Sequence, residues 1–340
     1  MLTGKQLILA TKPYAQEQRA RSWYELIVTL CALFAAGFVA AYGVFWPLRL
    51  TGSIFMALLM MRMFIIYHDY EHHTILQKSK AAKLIMSAYG YYMLTPPSIW
   101  KRSHDYHHKN NSKLFSASIG SYPIATRKKF AAMTRGERFT YLANRHPVSI
   151  LSGYLTIFIY GMCVGSFIST PKKHFDSLIA LLLHAAYTVL IIAFAGVSTW
   201  MFLIFLPFLL TCAMGSYLFY AQHNFPGVMF NCNEDWTYEK AALESSSYLR
   251  TNKMMQWFSG NIGFHHIHHL NARIPFYRLP EVYAAIPELR HAKETSFRLQ
   301  DIAACLRLKL WDPETQRMIS LKEFNSENET TKSNILAASN

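Results

Sequence analysis

Long stretches of this chain carry no charge, and they alternate with polar, basic ones. Residues 26–48 run for 23 positions without a charged side chain, close to the ~20 apolar residues that carry a helix across a bilayer. A short turn around Arg49 leads into a second apolar run, 50–67, whose one charge is Arg62. That arginine lies near the far end, where a long side chain is expected to snorkel to water. Two later runs, 177–195 and 197–219, form a second tight pair. A fifth apolar run covers 148–170, and a weaker one at 84–100 is broken by Pro96-Pro97. The first run is too long for the apolar core of a signal peptide and lacks a clear cleavage pattern, so it reads as a retained span. The tail from about 325 is polar and is expected to be disordered.

Charge sorts these segments by side. Lys and Arg number 4 in residues 1–25, 15 in 68–176 and 13 in 220–340, while the turns near 49 and 196 hold one between them. The positive-inside rule places all three basic regions in the cytoplasm. An even number of crossings must then separate 68–176 from 220–340. With 177–195 and 197–219 paired as a hairpin, 148–170 is expected to lie along or dip into the cytoplasmic interface. The alternative, that it spans and sends the C-terminal region outside, is nearly as good on hydropathy; Lys172-Lys173 directly after it argues against that. The expected fold is an all-α integral membrane protein of about four spans in two hairpins, with a helical cytoplasmic cap. It divides into an N-terminal segment 1–25, one membrane domain 26–324 and the tail 325–340.

Composition narrows the class. Charged residues make up 16% of the 340, below the roughly 25% of ordinary globular proteins. The net charge of +14 beside such apolar runs points to a membrane rather than nucleic acid. Mean hydropathy is only +0.10, so much of the chain must sit in water. The five cysteines are widely spaced with no Cys-x-x-Cys pair, which excludes a disulfide framework and a thiolate zinc site.

The chemistry lies in the histidines. Three clusters stand out: His68-Asp69-Tyr70-Glu71-His72-His73, His104-Asp105-Tyr106-His107-His108 and His265-His266-Ile267-His268-His269. A further His223 follows the last apolar run. On a helix, positions i, i+3 and i+4 share a face. That selects His68/His72, His104/His107/His108 and His265/His268/His269, each set expected to aim at one point. His73 and His266 fall off these faces, although His73 could replace His72 if the helix end unwinds. With His223 the set is nine imidazoles, too many for one metal and suited to two with positions open for oxygen. Imidazole suits iron, zinc, copper and nickel. His146, His174, His184 and His291 stand alone and read as structural. A rival reading takes His68-Asp69-Tyr70-Glu71-His72 as H-x-x-E-H, with Glu71 activating a zinc-bound water; it leaves two clusters unused. A non-catalytic metal-binding or transport protein is a third possibility.

The three clusters resemble the histidine boxes of the membrane fatty acid desaturase family, H-x3-H, H-x2-HH and H-x2-HH, over about residues 20–290. Gln222-His223-Asn224-Phe225 and Gly260-Asn261-Ile262-Gly263-Phe264-His265 look most like the bacterial acyl-lipid delta-12 (omega-6) type. Two features depart from parts of the family: His73 stands where Gly usually follows the first box, and the third box begins with His rather than the Gln common in front-end desaturases. His146-Pro147 continues as Val148-Ser149, so no fused cytochrome b5 motif is present.

The resemblance implies two Fe ions held by His68, His72, His104, His107, His108, His223, His265, His268 and His269. It implies O2 as co-substrate, an acyl chain of a membrane lipid as substrate, and a cis double bond formed by removal of two hydrogens. A lipid hydroxylase on the same scaffold is the nearest alternative. Electrons must come from a separate ferredoxin or cytochrome b5 type donor, for which Lys101, Arg102, Lys109 and Lys113 are candidate docking residues. Asp69, Asp105, Asp235 and Asn261 are candidates for orienting the ligand rings from behind. Tyr89, Tyr91, Tyr92, Trp100, Trp257, Phe258 and Phe264 could line an acyl tunnel or form an interfacial belt. The expected location is a bacterial inner membrane, with the catalytic face in the cytoplasm.

Overall fold

A computed structural model describes residues 2–114, 121–231 and 236–326. Helices dominate. The first, α1 (Gly4–Thr11), precedes the long α2 (Arg19–Tyr42) and α3 (Trp46–Glu71). α2 starts at Arg19, ahead of the apolar run, and stops at Gly43 within it. α3 restarts with Pro47 in its first turn, where a missing N–H costs nothing. The two pack closely because Gly52 has no side chain: a Cβ there would stand 2.6 Å from the Ala40 backbone nitrogen. Small residues commonly permit such backbone approach between apolar helices.

Among the described residues, three stretches are long and apolar enough to cross a membrane: α2, α3 and Phe175–Ala221. The third is two helices in one. Gly196 has φ 81° and ψ 162°, a conformation that favours glycine, and the chain reverses there. His184 and Phe208, equidistant from Gly196 in sequence, have ring centroids 5.1 Å apart. The two turns sit together, since Arg49 donates to Ser198 Oγ at 2.9 Å and Thr199 Oγ1 at 3.1 Å. The first helix of the second pair exposes Leu182, Val189, Leu190 and Phe194, whereas α3 is the buried centre of the bundle.

Arg62 does not snorkel. It is 2% exposed and pairs with Glu25 at the start of α2, donates to Thr29 Oγ1 at 3.1 Å and to the Trp257 carbonyl, and lies 4.0 Å above the Trp257 ring. A partner carboxylate across the helix pair and an aromatic lid replace the water it would otherwise seek.

The weak run at 84–100 becomes α4 (Lys80–Tyr92) and α5 (Pro97–Asn110), broken at Pro96. The run at 148–170 forms Pro147–Leu151, a π-helix over Tyr154–Gly165, and Ser166–Ser169. Its two ends meet the hairpin near the hairpin's histidine-bearing end. A Cβ on Gly153 would collide with Ser216 Oγ, and Ser166 Oγ lies 3.1 Å from Ser177 Oγ.

The cap is not purely helical. Ala125–Thr126, Leu308–Asp312 and Arg317–Ser320 form one small sheet, and Tyr248–Arg250 pairs in parallel with Glu294–Ser296 in another. Strands of two to five residues are too short for an alternating pattern to reveal them. The polar N-terminal segment is also structured. Leu7 is buried with Ile267 and Leu270, and Asn271 Nδ2 donates to Thr11 Oγ1 at 2.9 Å. The polar tail expected from 325 lies almost wholly outside the described residues.

Candidate metal centre

The clusters converge from four places. His68 occupies the last turn of α3 and His72 is its C-cap residue. α5 carries His104, His107 and His108, and the helix His265–Leu270 carries the third cluster. His223 lies just past the end of Leu206–Ala221. Asp176, at the start of the 175–200 helix, anchors α5 by accepting from Ser98 N at 3.0 Å and Ser98 Oγ at 2.5 Å. Gln222 Nε2 donates to the Ile262 carbonyl at 2.8 Å, tying the His223 segment to the loop before the third cluster.

The imidazoles form two groups: His68, His72, His104, His108 and His268, and His107, His223, His265 and His269. Within each, one ligand atom per residue lies within 4.8 Å of all the others. The sets expected to aim at one point each are therefore split. On a helix each residue turns by about 100°. Position i+3 thus sits roughly 60° to one side of i, and i+4 roughly 40° to the other. His104 and His108 go to one group and His107 to the other; His265 and His269 part from His268 in the same way.

Hydrogen bonding alone does not account for this packing. In the second group the Nε2 atoms of His107, His223, His265 and His269 close a ring with edges of 3.0, 2.9, 3.1 and 3.2 Å. His223 Nδ1 lies 2.8 Å from the Ser245 carbonyl oxygen. That oxygen only accepts, so Nδ1 carries the hydrogen and Nε2 presents a lone pair to both His107 and His265. A neutral imidazole has one N–H, so at most two of the four edges can be hydrogen bonds. A cation held by the four nitrogens would satisfy all of them at once, because deprotonated ring nitrogens are the form that binds metal.

The first group shows the same spacing. His104 Nε2 lies 2.9, 3.0 and 3.1 Å from the Nε2 atoms of His68, His72 and His108, and His268 Nε2 is 3.0 Å from that of His108. His68 Nδ1 meets Asp69 Oδ1 at 3.0 Å, which leaves its Nε2 free in turn. Burial holds His104, His107, His108, His265, His268 and His269 well below the ordinary imidazole range, with neighbouring rings adding repulsion. His72 and His223 are pushed down to about 4, chiefly by burial. These are neutral imidazoles, the form that binds metal. The residues fit a pair of metal ions.

The other candidates fall in different places. Asp69 also accepts from Phe276 N at 2.7 Å, and Asn261 donates to the Phe276 carbonyl at 3.1 Å; the two grip one residue of the cap, and of the described candidates Asp69 alone touches a ring of the groups. Asp105 pairs with Lys101 at 3.0 Å, and Asp235 lies outside the described residues. His73 turns away to Gln77 Oε1 at 3.0 Å, and His266 to the Leu289 carbonyl at 3.0 Å. Glu71 belongs to neither group, and its carbonyl receives Lys101 at 2.8 Å. Arg102 and Lys109 are exposed, whereas Lys113 lies 4.1 Å above the Trp236 ring. His146 accepts from Val148 N, His174 meets Ser98 Oγ at 2.8 Å, His184 lies between two tyrosines and His291 is exposed. Trp100 stacks on His104 at 4.8 Å. The Ser245 carbonyl carries no signal in the sequence, because any residue could supply it. A cavity of about 340 Å³ reaches the second group at His107 and His223.

Comparisons with known proteins agree with this chemistry. The model of the fatty acid desaturase family matches residues 44–299. A fatty acid desaturase of Bacillus subtilis (strain 168) is 27% identical over 324 residues, covering 94% of this chain and 91% of the relative. An sn-1 oleoyl-lipid 12-desaturase of Anabaena variabilis is 22% identical, covering 80% and 78% respectively. An sn-1 acyl-lipid omega-3 desaturase (ferredoxin) of Nostoc sp. (strain 36) is 25% identical, covering 72% and 67%. With three quarters of its length matched and its histidines gathered as a metal pair requires, this chain is an oxidoreductase of the fatty acid desaturase family.

Proposed function

We propose that this desaturase uses O2 and two Fe ions to place a cis double bond in an acyl chain of a membrane lipid, in the delta-12 (omega-6) manner. The observation that carries the reading is the separation of nine imidazoles into groups of five and four that share no residue. His68, His72, His104, His108 and His268 would hold one ion; His107, His223, His265 and His269 would hold the other. When bound, iron supplies the redox chemistry with O2 that an unactivated methylene requires. The protein's part is to hold ring nitrogens bare, exclude water and place the chain. Asp69 and the Ser245 carbonyl set the tautomers of His68 and His223, and Trp100 covers His104.

Four spans, two on either side of the buried cap segments, best fit the two reversals and the basic regions. The residues 147–169 would lie in the cytoplasmic interface. The lipid names of the relatives and a centre at the end of apolar helices support a substrate that enters from the bilayer. Expression in a host of known lipid composition should yield a new double bond, located by mass spectrometry of derivatised fatty acids. A new hydroxyl group would identify a hydroxylase instead, and no change with a competent reductant present would refute both.

Asp69→Asn should lower iron affinity or activity by roughly 10–100-fold, the usual cost of losing the partner that orients a ligand. Iron retained after dialysis against a chelator measures this; retention equal to the parent would show that Asp69 serves only the cap backbone. A separate ferredoxin or cytochrome b5 type donor would dock at the basic surface of α5. Reversing Arg102 and Lys109 to Glu should slow turnover with limiting donor, and the defect should shift with ionic strength. A defect that persists unchanged with a small chemical reductant would place these residues elsewhere in the reaction.

A further inference from the structure

A line of aromatic rings runs from the first imidazole group into the membrane bundle. Trp100, stacked on His104, lies 5.3 Å from Tyr67; Tyr67 is 6.0 Å from Tyr89, Tyr89 6.3 Å from Tyr92, and Tyr92 5.8 Å from Tyr187. It ends at His184, a polar ionisable side chain within an apolar helix, where such residues are seldom idle. Tyr187 O–H meets His184 Nδ1, and Tyr154 OH lies 2.5 Å from His184 Nε2.

The rings differ in what their hydroxyls touch. Tyr67 donates to the Thr95 carbonyl at 3.0 Å and Tyr89 to the Met60 carbonyl at 2.5 Å. An amide oxygen is too weak a base to take a phenol's proton. His184 is a base, and it is bracketed on both nitrogens. With hydrogen on Nε2, donated to Tyr154, its Nδ1 lone pair receives the Tyr187 O–H. If that proton moves across, both N–H groups of the resulting imidazolium already face oxygen. No group need move to satisfy the new charge, which matters greatly in a low-dielectric interior.

We propose that Tyr187, with His184 as its proton acceptor, is a radical-holding site that discharges the O2-oxidised metal centre when no acyl chain is in place. The inference rests on the two-iron reading above. In the step, the Tyr187 O–H bond breaks, its proton goes to His184 Nδ1, and one electron passes through Tyr92, Tyr89, Tyr67 and Trp100 to the centre. Tyr187 is oxidised by one electron and the centre is reduced by one. Tyr67 and Tyr89 relay the charge without keeping it, because they have no base to take their protons.

The test uses the full-length, iron-loaded protein in detergent, with iron content and desaturation of lipid measured first. The protein is reduced, exposed to O2 without substrate, and frozen for electron paramagnetic resonance. The expected result is an organic radical signal that narrows when the protein carries ring-deuterated tyrosine. The signal should be lost in Tyr187→Phe, which keeps the ring, and in His184→Phe, while both variants keep their iron and still desaturate. A tyrosyl signal that survives in Tyr187→Phe, or no signal in protein that holds two irons and turns over, would overturn the inference and leave the proposed function standing. Protein that binds no iron and desaturates nothing would overturn both.

Discussion

Replacing His268 with alanine should abolish desaturation, by far more than the ~100-fold that loss of an orienting partner can cost. His268 is the one residue of the third cluster in the group of five. Its ring is 1% exposed, 4.5 Å from that of His68, and its Nε2 is 3.0 Å from His108 Nε2. Removal would leave a gap between α3 and α5 that neither neighbour can close, because His265 and His269 point to the other group. Bound iron should fall with activity, while the four nitrogens around His223 stay in place. The contrast is His73→Ala, which should retain both iron and activity, since that ring faces Gln77. Product analysis by gas chromatography with metal analysis on the same preparations decides the matter. Full activity in the His268 variant would show that the group of five does not act as one ligand set and would overturn the two-ion reading.

The second large effect concerns stability. Arg62→Ala should destabilise the protein by about 3–5 kcal/mol, the range for stranding one member of a buried ion pair. Glu25 would keep only the longer contact to the half-exposed Arg21 at 3.5 Å, and Thr29 and the Trp257 carbonyl would lose a donor. The loss reaches the metal site through the loop after Trp257, where Gly260 packs against Ile65 and Asn261 braces Phe276. The double variant Arg62→Met with Glu25→Met should recover much of this, because replacing both charges by apolar groups avoids the unpaired charge. Thermal unfolding in detergent measures both. Equal melting of parent and single variant would show that the pair contributes nothing.

Much of this site is legible along the chain because its signals are local. An apolar run announces itself residue by residue, and so does a histidine repeat at helical spacing. Both follow from the geometry of one helix, which needs no partner to be specified. The turn at Gly196 and the break at Pro96-Pro97 are legible for the same reason. Arg62 shows the limit: its position along α3 suggested water, yet Glu25, a full helix away in sequence, determines its surroundings.

The sequence by itself therefore determined which histidines are candidates to meet at one site, where the apolar helices lie and which family the chain resembles. Only the tertiary structure decided how the imidazoles are shared. It sends His104 and His108 to one group and His107 to the other, and it recruits the Ser245 carbonyl and the Asp69 carboxylate to set tautomers. The reason is physical: helical periodicity fixes angles within one helix, but convergence on a point depends on how α3, α5, the third-cluster helix and the His223 segment are packed against one another. That packing is set by contacts spread over the whole chain, such as Ser98 with Asp176 and Gln222 with Ile262.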